Sequence, residues 1–216
     1  MILPTGYTYS PKLDMLYVAM ERCGSKHVRK CFGIVDPDCT HNFDESCYMP
    51  DITDNLLAVM RNPTHRLIST WELFYLTDRE PPNHWFYTQN ITVPWIPITE
   101  AEPDECIKAF QDFVISLGEL NEMVELDKFI RPQSNWYTST DIEYIDISQI
   151  ESHLGIDAEP YTVEKKSVIT AEEYIGFVPH GSGNAKCEQV QEAIWNIFEE
   201  DYLKLDYNIV PKDKYN

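Results

Sequence analysis

Two short apolar runs, each stopped by a charged residue and followed at once by a helix-forming stretch, decide what this chain can be. The first, "DMLYVAM" (14–20), gives way to Glu21, Arg22, Cys23 and Gly24 and then to "SKHVRKCFG" (25–33). The second, "LLAVM" (56–60), runs into Arg61 and then "NPTHRLISTWELFYL". Neither run alternates apolar with polar residues, as a half-exposed strand does. Continuous runs suit strands covered on both faces of a parallel sheet. Strand followed by helix, repeated, predicts an α/β fold: three α/β/α layers around a central, mainly parallel sheet. Ligands of such folds gather beyond the carboxyl ends of the strands, where Arg22 and Arg61 fall.

The remaining segments fit the same plan. Asn62 is a good N-cap and Pro63 suits the first helical position. The stretch "DPDCTHNFDESCYMPDITDN" (36–55) is rich in Asp, Pro and Asn and reads as an irregular loop. Residues 80–98 place Pro81, Pro82, Pro94 and Pro97 among aromatics and form an excursion loop. Thr99 and Glu102 make a capping box ahead of "AEPDECIKAFQDFVISLGELNEMV". "IEYIDI" (142–147) is a third strand, and Ser148 with Glu151 opens a short helix that ends at Gly155. After the loop "VPHGSGNAK", residues 186–203 form a closing amphipathic helix. The 216 residues are read as a single domain, 1–216.

Charge narrows the partners. The chain carries 36 acidic against 17 basic residues, a formal charge of −19. This charge argues against a nucleic-acid partner, because phosphate-backbone binding needs a broad basic face. The acidic surface itself is read as a solubility feature. The opening "MILPTGYTYSPKLD" has no secretory character, and no run reaches the roughly 18 apolar residues of a membrane helix. A soluble, cytoplasmic protein without membrane insertion is expected. Cys23, Cys31, Cys39 and Cys47 recur at intervals of eight, with His27 and His41 nearby. Zinc knuckles space paired ligands two to four residues apart and there is no CxxC, so free thiols and no metal are expected.

Against that background, Arg22, Lys26, Arg29 and Lys30 crowd into a few positions directly after the first strand. A strand, a glycine turn and a helix start make an anion site, with Gly24 letting the backbone approach and Ser25, Lys26 and His27 adding donors. Neither GxxxxGK[ST] nor GxGxxG is present. The bland alternative is a capped helix with a solvated basic face. Arg61 at the second strand end and Ser69 in the helix beyond, on the side where Arg66 projects, offer a guanidinium fork and a hydroxyl. The alternative there makes Arg61 and Arg66 surface partners of nearby acids. Two anion sites on neighbouring strand ends suit a nucleotide with phosphates at both ends of its ribose.

"MERCGSKHVRKCF" followed by "VMRNPTHRLIST" resembles the two cofactor-binding signatures of sulfotransferases that use 3′-phosphoadenosine 5′-phosphosulfate (PAPS). It looks most like the carbohydrate branch with the heparan 2-O- and chondroitin or dermatan enzymes. The second signature, R-[DN]-P-x-x-R-[LF]-x-S, is matched at every fixed position. "FIRPQSNWY", "IEYIDISQIESHLGI" and "FEEDYLKLDY" are similar to later family segments, in the expected order, so the likeness covers most of the chain.

The resemblance implies a P-loop-like fold with PAPS as donor and PAP as product. It gives the 5′ end to Arg22, Cys23, Gly24, Ser25, Lys26 and His27, and the 3′-phosphate to Arg61 and Ser69. Ser182 and Lys186 match a loop that closes over the nucleotide. The family's loop lysine is Arg22 here, so Arg22 or Lys26 stabilises the leaving-group charge. His41 stands where the 2-O branch has its base, and Glu45 or Asp44 is the alternative. The implied reaction moves a sulfuryl group in line to a hydroxyl, of a carbohydrate above all, without metal. Trp71, Trp85 and Trp136 could stack on a sugar, although core packing is the commoner use of such residues. The lack of an anchor suits a bacterial or viral setting. Two rivals stand beside this reading: a PAP- or PAPS-binding module that has lost its chemistry, and a nucleotide-dependent kinase, which the missing Walker loop disfavours.

Overall fold

A computed structural model describes residues 7–10, 12–18, 20, 22–32, 54–74, 76–77, 96–97, 102–119, 130–134, 142–156, 169–176 and 185–207. In chain order its elements are β1 (Tyr7–Ser10), β2 (Met15–Val18), α1 (Ser25–Cys31), β3 (Leu56–Met60), α2 (Pro63–Phe74), β4 (Leu76–Thr77), β5 (Ile96–Pro97), α3 (Pro103–Gly118), β6 (Ile142–Asp146), α4 (Ile150–Leu154), α5 (Ala171–Ile175) and α6 (Cys187–Lys204). They fall into two units, residues 1–61 with 133–163, and residues 62–132 with 164–216. No helix among the described residues is long and apolar enough to cross a membrane.

The first unit is α/β. Its four-stranded sheet has the order β1-β2-β3-β6. β2 and β6 both run parallel to β3, with Leu16 opposite Leu56 and Met60 opposite Asp146. β1 is antiparallel to β2. Leu57, Ala58, Val59 and Met60 are all buried, which is why β3 reads as an unbroken apolar run. Tyr17, Leu57, Val59 and Ile145 pack with Val28, Cys31 and Phe32 around α1 and with Ile150 of α4. These two helices are 7 and 5 residues long, too short to persist alone, so this packing holds them.

The second unit is mainly helical, with a two-stranded β4-β5 ladder. Asn62 Oδ1 accepts from the Thr64 and His65 amides at 3.0 and 3.3 Å, and Pro63 takes the first helical position of α2, as the sequence predicts. Asn62→Ala is expected to cost about 1 kcal/mol, measurable as a lower urea midpoint. Trp71, Phe110, Phe113, Tyr174, Ile194 and Phe198 anchor the core that joins α2, α3, α5 and α6. Gly118 is used for close approach: a Cβ there would stand 2.7 Å from that of Ala193. The Thr64 hydroxyl and the Tyr202 phenol meet at 2.6 Å, and burial pushes that phenol well above its ordinary pKa.

Several local expectations are corrected. The α3 N-cap is Glu102 with Pro103 at the first helical position, rather than a box starting at Thr99. Proline pre-sets the helical φ and lacks the N–H a cap would satisfy, so the helix begins there. After β6 the capping box is Asp146 with Gln149, not Ser148 with Glu151; it opens a single 3-10 turn (Ile147–Gln149) ahead of α4. The closing helix is interrupted at Phe198, whose φ of −123° is not helical. Thr170 and Glu173 form a reciprocal capping box for α5 that the sequence reading passes over.

Candidate functional site

Since β2 and β3 are adjacent and parallel, their carboxyl ends leave the sheet at one edge. β6 ends at the same edge, with Asp146 level with Met60. Beyond β2 the chain turns through Arg22, with a left-handed φ of 63°, Cys23, and Gly24, with φ 69°. An L-residue rarely adopts that conformation, and two in three positions wind the chain into a tight loop ahead of α1. Gly24 suits this turn because glycine adopts that φ without strain, and a Cβ there would also push the Ile147 Cδ1 methyl aside.

Arg61 follows β3 immediately. Its guanidinium Nη1 donates to the Arg22 carbonyl at 3.4 Å, which brings the cationic head to the first residue of the turn. Gln133 ties the two strand ends together from below. Its Oε1 accepts from the Arg61 amide at 2.9 Å and from the Cys23 thiol at 2.9 Å, while its Nε2 donates to the Arg61 carbonyl at 2.8 Å. Gln133 and Cys23 are both fully buried. Sequence reasoning noted Gln133 only within "FIRPQSNWY"; it is a structural organiser of this edge.

Other predicted residues fall as follows. Ser25 and Lys26 open α1, Ser25 half-buried and Lys26 exposed beside the turn. Gly24 is the N-cap and brings no side-chain hydrogen bond to that first turn. Cys23 turns its thiol to Gln133 and its amide to the Met20 carbonyl, so it braces the loop from inside. His27 is 4% exposed and its ring faces inward. There Nε2 lies 2.5 Å from Glu151 Oε1 and 3.8 Å from Cys31 Sγ. Burial, and then the Glu151 carboxylate, push the Cys31 thiol above its usual pKa.

In the second unit Ser69 is half-buried on α2. Arg66, expected to project beside it, is 1% exposed and donates to the Arg131 carbonyl at 2.7 Å. The surface-partner alternative for Arg66 is therefore corrected: its charge is buried against a carbonyl. Lys186 stands at the N-cap of α6 and pairs with the Asp112 carboxylate of α3. Trp71 is fully buried in the core against Phe110 and Phe113, so it has no exposed ring face on which a sugar could stack. His41, Glu45, Asp44, Ser182, Trp85 and Trp136, with Cys39 and Cys47, lie outside the described residues.

Chemically, the edge of the first unit offers two guanidinium groups on half-buried residues, an exposed ammonium and a glycine turn, held by one buried amide. Planar guanidinium forks favour phosphate or sulfate oxygens over point-like ligands. Comparison of the chain with protein-family models, curated proteins and solved structures yields no match.

Proposed function

We propose that the chain is a PAPS-dependent sulfotransferase whose sheet belongs to a P-loop-like, three-layer α/β/α fold. The observation that carries the reading is the contact of Arg61 Nη1 with the Arg22 carbonyl, at the ends of two adjacent parallel strands. The resemblance assigns these two segments to opposite ends of one adenosine bisphosphate, and that assignment needs them to be neighbours. In the proposed reaction the acceptor oxygen attacks sulfur as the bond from sulfur to the bridging phosphate oxygen breaks. PAP leaves with the bonding electrons, and Arg22 or Lys26 stabilises its charge. The acceptor proton passes to His41, or to Glu45 in its place. A carbohydrate hydroxyl is the acceptor the resemblance favours. Ser69, Ser182 and Lys186 keep their nucleotide roles on the resemblance alone.

The test is thermal stabilisation of the whole chain by PAP, AMP and ATP. PAP at a hundredfold excess over its Kd stabilises by about 2.7 kcal/mol, or about 5–10 °C in Tm for a chain of this size. AMP is expected to give a far smaller shift. Arg61→Ala removes the fork but keeps the backbone bonds to Gln133, and weakens PAP about 10- to 100-fold. Equal shifts with PAP and AMP, or an unchanged response in Arg61→Ala, count against the proposal.

A second reading is a nucleotide-binding module without turnover. It is favoured by the permanently charged Arg22, which cannot hand a proton to a leaving group as lysine can. Sulfate transfer from labelled PAPS to any glycan eliminates it.

A further inference from the structure

His27 and Cys31 stand one helical turn apart on α1, so both side chains leave the same face of the helix. Glu151 of α4 comes up against them. The three donor atoms, His27 Nε2, Cys31 Sγ and a Glu151 carboxylate oxygen, all lie within 4.8 Å of one another. We propose that this cluster is a binding site for a transition-metal dication, Zn²⁺ in first place, with these three side chains as ligands and a solvent-derived fourth. It gives the buried His27 side chain to the metal in place of the nucleotide role the resemblance assigns it, and draws on nothing else in the nucleotide reading.

Donor chemistry selects the metal. One imidazole nitrogen, one thiolate and one carboxylate make a borderline set that suits Zn²⁺ or Co²⁺, whereas Mg²⁺ and Ca²⁺ take oxygen ligands. Three protein ligands with one open position are the pattern of zinc sites that keep a water.

Geometry agrees. Tetrahedral zinc with bonds of about 2.0–2.3 Å separates its ligand atoms by about 3.3–3.7 Å. The Cys31 Sγ to His27 Nε2 distance is 3.8 Å, already close to that span. The His27 to Glu151 distance of 2.5 Å is that of a direct contact, and it must widen by about 0.8 Å to admit a metal between the two atoms. Glu151 can supply that movement, since its side chain is 28% exposed against 5% for His27.

Charge agrees as well. A thiolate and a carboxylate neutralise a dication inside an otherwise apolar packing of Val28, Phe32 and Ile150, where an unbalanced ion would be costly. The metal would also cross-link α1 to α4, two helices too short to stand alone. The competing use of the same atoms is a buried His27–Glu151 ion pair with an inert thiol beside it.

Cobalt(II) titration of the metal-stripped full chain, followed by absorbance, separates the two. The expected result is one equivalent bound, with d–d bands of tetrahedral intensity and a thiolate-to-cobalt charge-transfer band, all removed by one equivalent of Zn²⁺. Cys31→Ser is expected to abolish the charge-transfer band, and Glu151→Gln to weaken cobalt at least tenfold while keeping that band at saturation. Cys106→Ser, a buried thiol in the other unit, should change nothing. Far-UV circular dichroism checks that each variant is folded; if Cys31→Ser is not, Glu151→Gln decides alone. No charge-transfer band in the native chain, a band that survives in folded Cys31→Ser, or unchanged affinity in Glu151→Gln overturns the proposal.

Discussion

Replacing Gln133 with alanine is expected to destabilise the chain by about 3 kcal/mol, because it strips partners from three groups at once, a buried thiol and two part-buried backbone groups. The Arg61 amide, the Arg61 carbonyl and the Cys23 thiol all bond to this one side chain, which has no exposed surface. Each orphaned backbone group carries its own desolvation penalty, and the cavity left by the side chain adds to it. Gln133→Met separates the effects, since it fills the space without offering a hydrogen bond. Urea denaturation should show the methionine variant recovering part of the loss and remaining at least about 1 kcal/mol below the native chain. A methionine variant as stable as the native chain would mean that packing alone holds this edge. If PAP binds as proposed, both variants should also blunt its thermal shift, because the turn and Arg61 lose their common brace.

Trp71→Ala should be at least as damaging, at about 3–5 kcal/mol. The indole is completely buried, stacked on Phe113 with ring centroids 5.5 Å apart and edge-on to Phe110 at 5.9 Å. Such pairs add to the stabilisation expected from area alone. Trp71→Phe keeps an aromatic in the slot and should cost less than half as much. The expected signature is a large fall in the denaturation midpoint; a folded, normally stable Trp71→Ala chain would show that the helical unit does not depend on this core.

How much of this was legible beforehand depended on distance along the chain. β3 was readable to the residue because a continuous apolar run has few other homes, and α2 because Asn62 and Pro63 form a local start signal. Arg22 and Arg61 could be placed together because parallel strands share an edge, a rule that needs no coordinates. β1 was missed: its four residues lie between Gly6 and Pro11, and a short edge strand leaves little pattern. The role of Gln133 was invisible for a different reason, as its partners are 72 and 110 positions away and no local signal marks them. The same holds for His27, whose partner Glu151 is 124 positions distant. His27 and Cys31 share one helical face, but the third member of their cluster, Glu151, comes from far along the chain, so no local spacing joins the three. His41 and Glu45, the expected bases, lie outside the described residues and stay with the resemblance.

Among the described residues the sheet ends at β6, with Glu143 exposed along it and Asp146 at its tip. A strand edge left uncovered allows a second copy to dock by backbone pairing and so to seed aggregation. Two molecules meeting there would press like carboxylates together, on chains that each carry −19. Charge repulsion between two such chains weakens as the buffer approaches the isoelectric point near 4.5 or as added salt shortens the reach of those charges.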